Sequence, residues 1–504
     1  MARHRVPLLL PLSAALLLTF AAVAPAATES EPKPIEAATV AAEGLPYRNP
    51  IKPVQGADPW MEYYDGSYYL ITTSWSSELT IRTSPTLAGI ATAPSVQIYS
   101  AAGDEQCCNI WAPEMHLLDG PQGKRWYIYY NASRDVADYN PTQRIQVLRS
   151  EGLDPMGPYT HQGSVGLDEW QLDGSVLEMN DDLYFMGTYH DGSTQNLFIQ
   201  ALSDPATTTG PRRMLSRPTH DWETQGAPVQ EGPEALYHGD DTFIVYSTSF
   251  CDTPDYKLGM LTYTGGDPLD SGSWSKSPEP VFQRDDADGV YGPGHNGFFQ
   301  SPDGTEDWIV YHANDSASGG CTPDRTTRAQ KFEWNADGTP DFGTPEPTGV
   351  ALTGPSGETG PTPTGYRLVN RSSGLCLAVE GGSGDDGATA VQAGCGSGAQ
   401  AVWDVEDLGD GTSRLVNHAG GGSLDVADCS TEDGADVRQW SWLDNTCQRF
   451  RMVLRDSGGW VSVANANSGK VLDVEDCGAA AGTNVRQWSW LDNACQQWRL
   501  EATT

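Results

Sequence analysis

Three acidic residues sit in settings that suit proton-transfer chemistry: Asp58 in GADPW, Asp173 in QLDGSV and Glu231 in QEGPEAL. Each lies beside glycine or close to proline, with few charged neighbours to solvate it. Carboxyls of this kind can divide the work of a hydrolysis. One takes a proton from water, one protonates the leaving oxygen, and a third sets the donor's proton affinity. Where the bond is glycosidic and no covalent intermediate forms, the first two stand about 6.5–9.5 Å apart so that the water fits between them. Glu234, three residues beyond Glu231, is a rival for the donor role. With 67 acidic residues in the chain, a single Asp is as a rule a solvated surface charge. Spacing alone therefore does not single out these three.

The elements that must position them are strands. Five segments share a pattern in which a turn of Asp, Gly or Lys precedes aromatic and β-branched residues: DGSYYLITTS from Asp65, GKRWYIYYNAS from Gly123, DDLYFMGTY from Asp181, DDTFIVYSTS from Asp240 and EDWIVYHAN from Glu306. A spacing of roughly 60 residues suggests a radially repeated sheet of about four strands per unit, hence a five-bladed β-propeller. Inner strands of such a fold converge on one axis, so Asp58, Asp173 and Glu231, ahead of the first, third and fourth segments, can meet there. No long 3.6-residue apolar period occurs, which leaves helices a minor role.

Residues 1–27 read as a signal peptide, with Arg3 and Arg5 before the apolar run Val6–Val23 and a small-residue site at Ala24-Pro25-Ala26. Residues 28–45 read as a flexible leader, 46–351 as the catalytic domain, and the Gly-, Pro- and Thr-rich stretch 352–365 as a linker. The chain is expected to be secreted, with no later segment approaching the ~20 apolar residues of a membrane span. A formal charge of −37 disfavours nucleic acid and anionic membranes, which are bound through Lys and Arg, and is compatible with a neutral ligand.

Residues 366–504 repeat themselves. SLDVADCSTEDGADVRQWSWLDNTCQRFRM from Ser423 aligns with VLDVEDCGAAAGTNVRQWSWLDNACQQWRL from Val471, and a degenerate copy containing Cys376, Cys395 and Trp403 precedes both. Three copies fit a pseudo-threefold all-β module, with one disulfide expected per lobe: Cys376–Cys395, Cys429–Cys447 and Cys477–Cys495. The pairing of Cys107, Cys108, Cys251 and Cys321 stays open.

The motifs NP…ADPW from Asn49, IWAPEMH from Ile110, LDGSV from Leu172, EGPEALY from Glu231, GPGHN from Gly292 and RTTRAQKFEWNADGTP from Arg325 together resemble glycoside hydrolase family 43, in the family's order. The resemblance implies a five-bladed propeller and inversion of the anomeric centre, with Asp58 as general base, Asp173 as pKa modulator and Glu231, before Gly-Pro, as general acid. It further implies that Arg325 reaches the sugar or the modulator, that Trp111 packs under the sugar, and that His295 lies near the propeller axis. No cofactor is required; a structural Ca2+ beside His295 is expected. Within the family the Glu231–Tyr263 run is most similar to exo-1,5-acting α-L-arabinofuranosidases, with endo-arabinanases and β-xylosidases as alternatives.

The C-terminal repeats resemble a ricin-type β-trefoil, the family 13 carbohydrate-binding module. That resemblance assigns sugar contacts to Asp425 with Asn445 and to Asp473 with Asn493, while Ala378 replaces the Asp of the first lobe. The expected whole is a monomeric all-β enzyme acting on plant cell-wall polysaccharide, arabinan or arabinoxylan, with the trefoil anchoring it. The alternative of another class is a non-catalytic lectin. GxSxG and HExxH are absent, which removes the lipolytic and proteolytic readings.

Overall fold

The five aromatic segments become the strands Ser67–Ile71, Gly123–Ser133, Asp182–Asp191, Asp241–Thr248 and Asp307–Asn314, each second in an antiparallel meander. The computed structural model describes residues 44–504, so the signal segment and all of the leader but Gly44 and Leu45 lie outside the described residues. Four meanders are separate four-stranded sheets in a propeller arrangement; their first strands are Cys108–Gly120, Gln171–Met179, Gln230–His238 and Tyr291–Gln300. The strands Trp60–Tyr64, Ser67–Ile71, Glu78–Ser84 and Val96–Ser100 pair in the same order but belong to a sixteen-stranded sheet that runs on into the C-terminal part.

The second strands carry apolar side chains on both faces because each is packed between neighbouring sheets. Ile71, Leu79 and Ile81 meet Ile110, Trp126 and Ile128. Tyr127 and Tyr129 meet Phe185 and Phe198, and Leu177 and Met186 meet Ile244 and Tyr246. Phe243 and Val245 meet Ile309 and Tyr311. Phe299, Trp308 and Val310 then meet Met61, Tyr68 and Leu70, returning to the first group. Each such side chain contributes about 1.5–3 kcal/mol by burial, so the sheets are held chiefly by face-to-face packing. The one α-helix among the described residues, Leu87–Ile90, is a single turn. No described helix is long and apolar enough to cross a membrane.

The C-terminal part is a β-trefoil whose core combines Leu368, Trp403, Leu415, Phe450, Val463 and Trp498 from all three lobes. Its three disulfides join Cys376 to Cys395, Cys429 to Cys447 and Cys477 to Cys495, one within each lobe. The remaining four cysteines pair as Cys107–Cys108 and Cys251–Cys321.

The stretch 352–365, expected as a linker from its composition, is packed in its first half, while Thr359, Pro361 and Thr362 are exposed. Leu352 pairs with Tyr47, Ser356 Oγ donates to Asp303 Oδ1 at 2.7 Å, and Glu358 Oε1 accepts from Leu87 N–H at 2.7 Å. Nor does the trefoil hang free of the propeller. Phe450–Leu454 runs parallel to Val96–Ser100, with Met452 opposite Val96, and Val96 is buried in the trefoil core. Beside it Arg82 forms a buried ion pair with Asp407, which also accepts from Ser95 Oγ at 3.2 Å.

Candidate active site

The first strand of each separate sheet carries the same irregularity. Pairing registers shift between Trp111 and Glu114, Leu172 and Ser175, Glu231 and Glu234, and on both sides of Gly294. Such bulges re-aim side chains that a regular strand would alternate between faces. Asp173 (φ 55°), Gly232 (φ 53°) and His295 (φ 46°) adopt left-handed backbone there, and Asp58 (φ 52°) does so just before the strand Trp60–Tyr64. Asp tolerates this region better than most residues. At position 232 space also favours glycine, since a Cβ would lie 3.3 Å from the His295 ring, which would have to give by a few tenths of an ångström.

These turns bring Asp58, Asp173 and Glu231 to the wall of one cavity of about 490 Å³, together with Trp75, Trp111, His295 and Arg325. Asp58 is 8% exposed. Its Oδ2 accepts from Thr73 Oγ1 at 2.5 Å, while Oδ1 lies 3.2 Å from Arg325 Nη1, 3.2 Å from His312 Nδ1 and 3.4 Å from His295 Nδ1. Burial pushes its proton affinity up, but Arg325, His295 and His312 together outweigh burial and hold the carboxyl well below the usual range. This setting favours the ionised form of Asp58.

Asp173 is treated differently. Its Oδ1 accepts from Asn131 Nδ2 at 3.0 Å, its own N–H donates to Asn131 Oδ1 at 3.0 Å, and Oδ2 accepts from Gly232 N–H at 3.1 Å. Burial pushes it up to about 7, with Glu231 and Asp58 adding to the rise and His295 opposing it. Glu231 is half-buried; Oε1 accepts from Tyr256 OH at 2.8 Å and Oε2 from Gln195 Nε2 at 2.7 Å. Its rival Glu234 is absent from the cavity wall, 2% exposed and held against Glu114. Burial first, then Glu114, pushes Glu234 well above the carboxylate range.

Arg325 lines the cavity, and the carboxylate it meets there is Asp58 rather than Asp173. Trp111 lines the cavity with its ring edge-on to Trp75 at 5.6 Å and to Tyr139 at 5.9 Å. His295 donates its backbone N–H to Ser247 Oγ at 2.7 Å, and its Nε2 is buried without a partner among the described residues. One imidazole nitrogen is not the set of six to eight oxygens that calcium takes. No three His, Cys, Asp or Glu side chains are grouped to hold a metal ion among the described residues. The residues present thus do not fit a calcium ion held directly by side chains.

In the trefoil, Asp425 Oδ1 accepts from Arg438 Nε at 3.0 Å and the Arg438 guanidinium lies 4.1 Å above the Trp440 ring. Asp473, Arg486 and Trp488 repeat this at 3.1 Å and 4.4 Å. Asn445 and Asn493, expected to share a sugar with these acids, use their side-chain oxygens to cap one-turn helices, accepting from Cys447 N–H and Cys495 N–H at 3.1 Å. Each oxygen thereby spends one of its two lone pairs on the backbone, and the amide nitrogens stay open to a ligand.

Residues 47–340 match the family described as glycosyl hydrolases family 43. The chain belongs to that family. As a family 43 glycoside hydrolase it carries a second match, to the ricin-type beta-trefoil lectin domain-like family, over residues 354–440 and 446–504. An extracellular exo-α-(1→5)-L-arabinofuranosidase of Streptomyces avermitilis is 37% identical over 331 residues, 63% of this chain and 67% of that one. One of Streptomyces chartreusis is 38% identical over 279 residues, 53% and 82% of the two chains. Among solved structures, the α-L-arabinofuranosidase from Lactobacillus brevis is 36% identical over 60% of this chain and 98% of its own, with a TM-score of 0.56.

Sequence reasoning missed Thr73, Asn131, His312, Gln195 and Tyr256, which hold the three carboxyls. A signal existed for the first three. Thr73, Asn131 and His312 occupy the polar ends of the aligned segments ITTS, YYNAS and YHAN, where the second strand reaches the cavity.

Proposed function

We propose that this enzyme is a secreted, inverting, exo-acting α-L-arabinofuranosidase that removes L-arabinofuranose from arabinan or its oligosaccharides. The observation that carries the reading is the pairing, around one cavity, of a carboxylate whose setting favours its ionised form with a half-buried carboxyl on another sheet. Asp58 takes a proton from water as its oxygen attacks the anomeric carbon. Glu231 gives its proton to the departing glycosidic oxygen, so that arabinose and the shortened chain leave together. The proton affinity of Asp173 is raised by both of them. Arg325 and Trp111 shape the sugar's surroundings. The extracellular arabinofuranosidases of the two Streptomyces species support the substrate class and the secretion.

The strands 60–100 are counted as the fifth blade, a reading supported by the return of the packing ring through Met61, Tyr68 and Leu70. In the same proposal the catalytic domain spans 46–351, the trefoil 366–504, and the chain is a monomer. The trefoil holds plant cell-wall polysaccharide at Asp425 and Asp473, raising its local concentration near the active site. Product analysis on linear arabinan, arabinoxylan and xylo-oligosaccharides tests the reading. Arabinose alone, appearing first as the β anomer in NMR spectra, is expected; oligosaccharides as first products would make it an endo-arabinanase, and xylose a xylosidase.

A further inference from the structure

The rings of Trp170 and His190 stack at 3.9 Å with 26° between their planes, and both line the cavity. Neither belongs to the apolar clusters that hold the sheets together. His190 is exposed and Trp170 half-buried, so an aromatic surface faces open space without a packing role.

The position of this surface follows from strand register. His190 pairs directly across its hairpin with Gln195, whose Nε2 donates to Glu231 Oε2 at 2.7 Å. Trp170 precedes Gln171, the register partner of Tyr189. The stack is thus one cross-strand step from the carboxyl assigned as acid. The other aromatic group, Trp75 with Trp111, stands beside the base: Arg325, which binds Asp58, lies 5.8 Å from the Trp75 ring. In a displacement by water, base and acid take opposite faces of the reacting centre, and the departing group lies on the acid's side.

We propose that the Trp170–His190 stack is the leaving-group subsite, taking the neutral sugar ring next to the one released. The indole presents the flat apolar face that the C–H face of a sugar matches, beside polar groups able to meet its hydroxyls. This rests on the assignment of Glu231 as acid in an arabinofuranosidase. A platform there stabilises only substrates whose leaving group has a ring to lay on it.

The test compares α-1,5-linked arabinotriose with methyl α-L-arabinofuranoside, whose methyl leaving group reaches no platform. Trp170→Ala is expected to lower kcat/KM on arabinotriose by about tenfold and to leave the methyl glycoside within about twofold, with Trp170→Phe recovering most of the loss. His190→Ala should show the same pattern more weakly. Equal loss on both substrates in the Ala variants, with the melting temperature unchanged, would overturn the subsite and make the stack a support for Asp173 and Glu231. No loss on arabinotriose would overturn it too. Failure of the underlying reading is seen elsewhere, in wild-type enzyme inert toward both arabinosides, and takes the subsite with it.

Discussion

Arg325 Nη1 stands 3.2 Å from Asp58 Oδ1, although 267 residues separate them, and this contact is the largest of those that favour the charged carboxylate. The guanidinium and two imidazoles face Oδ1, while Thr73 holds Oδ2. A buried carboxylate so surrounded keeps its charge without water around it, which suits a group that must accept a proton during turnover.

Removing Arg325 should therefore move the pH profile. Arg325→Gln takes away a charge that lowers the Asp58 proton affinity, so Asp58 becomes protonated at higher pH. The acid limb of kcat/KM is expected to move to higher pH than in wild type. A profile measured from pH 3 to 8 with an unmoved acid limb would contradict the role.

Asp58→Asn and Glu231→Gln should each lower kcat by about 10²–10⁴-fold while arabinose still binds. Glu234→Gln replaces a carboxyl that burial and Glu114 already keep protonated, so it should retain kcat within about tenfold. If Glu234→Gln instead proves the more damaging of the two Glu changes, the acid has been misassigned.

Asp173 costs stability as pH rises. Its folded proton affinity is about 7 against an unfolded value of 3.8. Between these values the unfolded chain releases a proton that the native state keeps, so stability falls with rising pH across that window and is level above it. Asp173→Asn should then melt higher than wild type at pH 8, with the gain shrinking toward pH 4 and a loss of activity throughout. Melting curves of both proteins across that range decide it.

Propeller and trefoil should unfold as one. The parallel pairing at Val96 and Met452 and the buried Arg82–Asp407 pair tie them together. Asp407→Ala leaves Arg82 buried and unpaired, a change that typically costs about 3–5 kcal/mol. Calorimetry is expected to give one transition for wild type, several degrees lower in the variant. Two separate transitions in wild type would show that the two parts are independent.

Asp425→Ala combined with Asp473→Ala should reduce retention on insoluble arabinan by about tenfold or more while leaving kcat/KM on arabinotriose within about twofold. Equal losses in both assays would mean that these acids support the structure instead.

Local features carried much of this protein. Turn residues followed by aromatic and β-branched residues mark a strand through short-range sterics and side-chain alternation, and all five such segments are strands. Two cysteines per repeat sufficed for the lobe disulfides, because each lobe brings its own pair within reach. Composition did not reveal the contacts of residues 352–358, where Leu352 pairs with Tyr47 and Glu358 accepts from Leu87 N–H. Gly, Pro and Thr make flexible chain only when nothing nearby offers hydrogen bonds. Four things depended on tertiary structure: the meeting of Arg325 with Asp58, the Asn131 clamp on Asp173, the withdrawal of Glu234 from the cavity, and the continuation of one sheet into the trefoil. The reason is closure: which groups face the axis is set by bulges in strands far apart in sequence and by the packing of each sheet on the next, and a linear pattern contains neither.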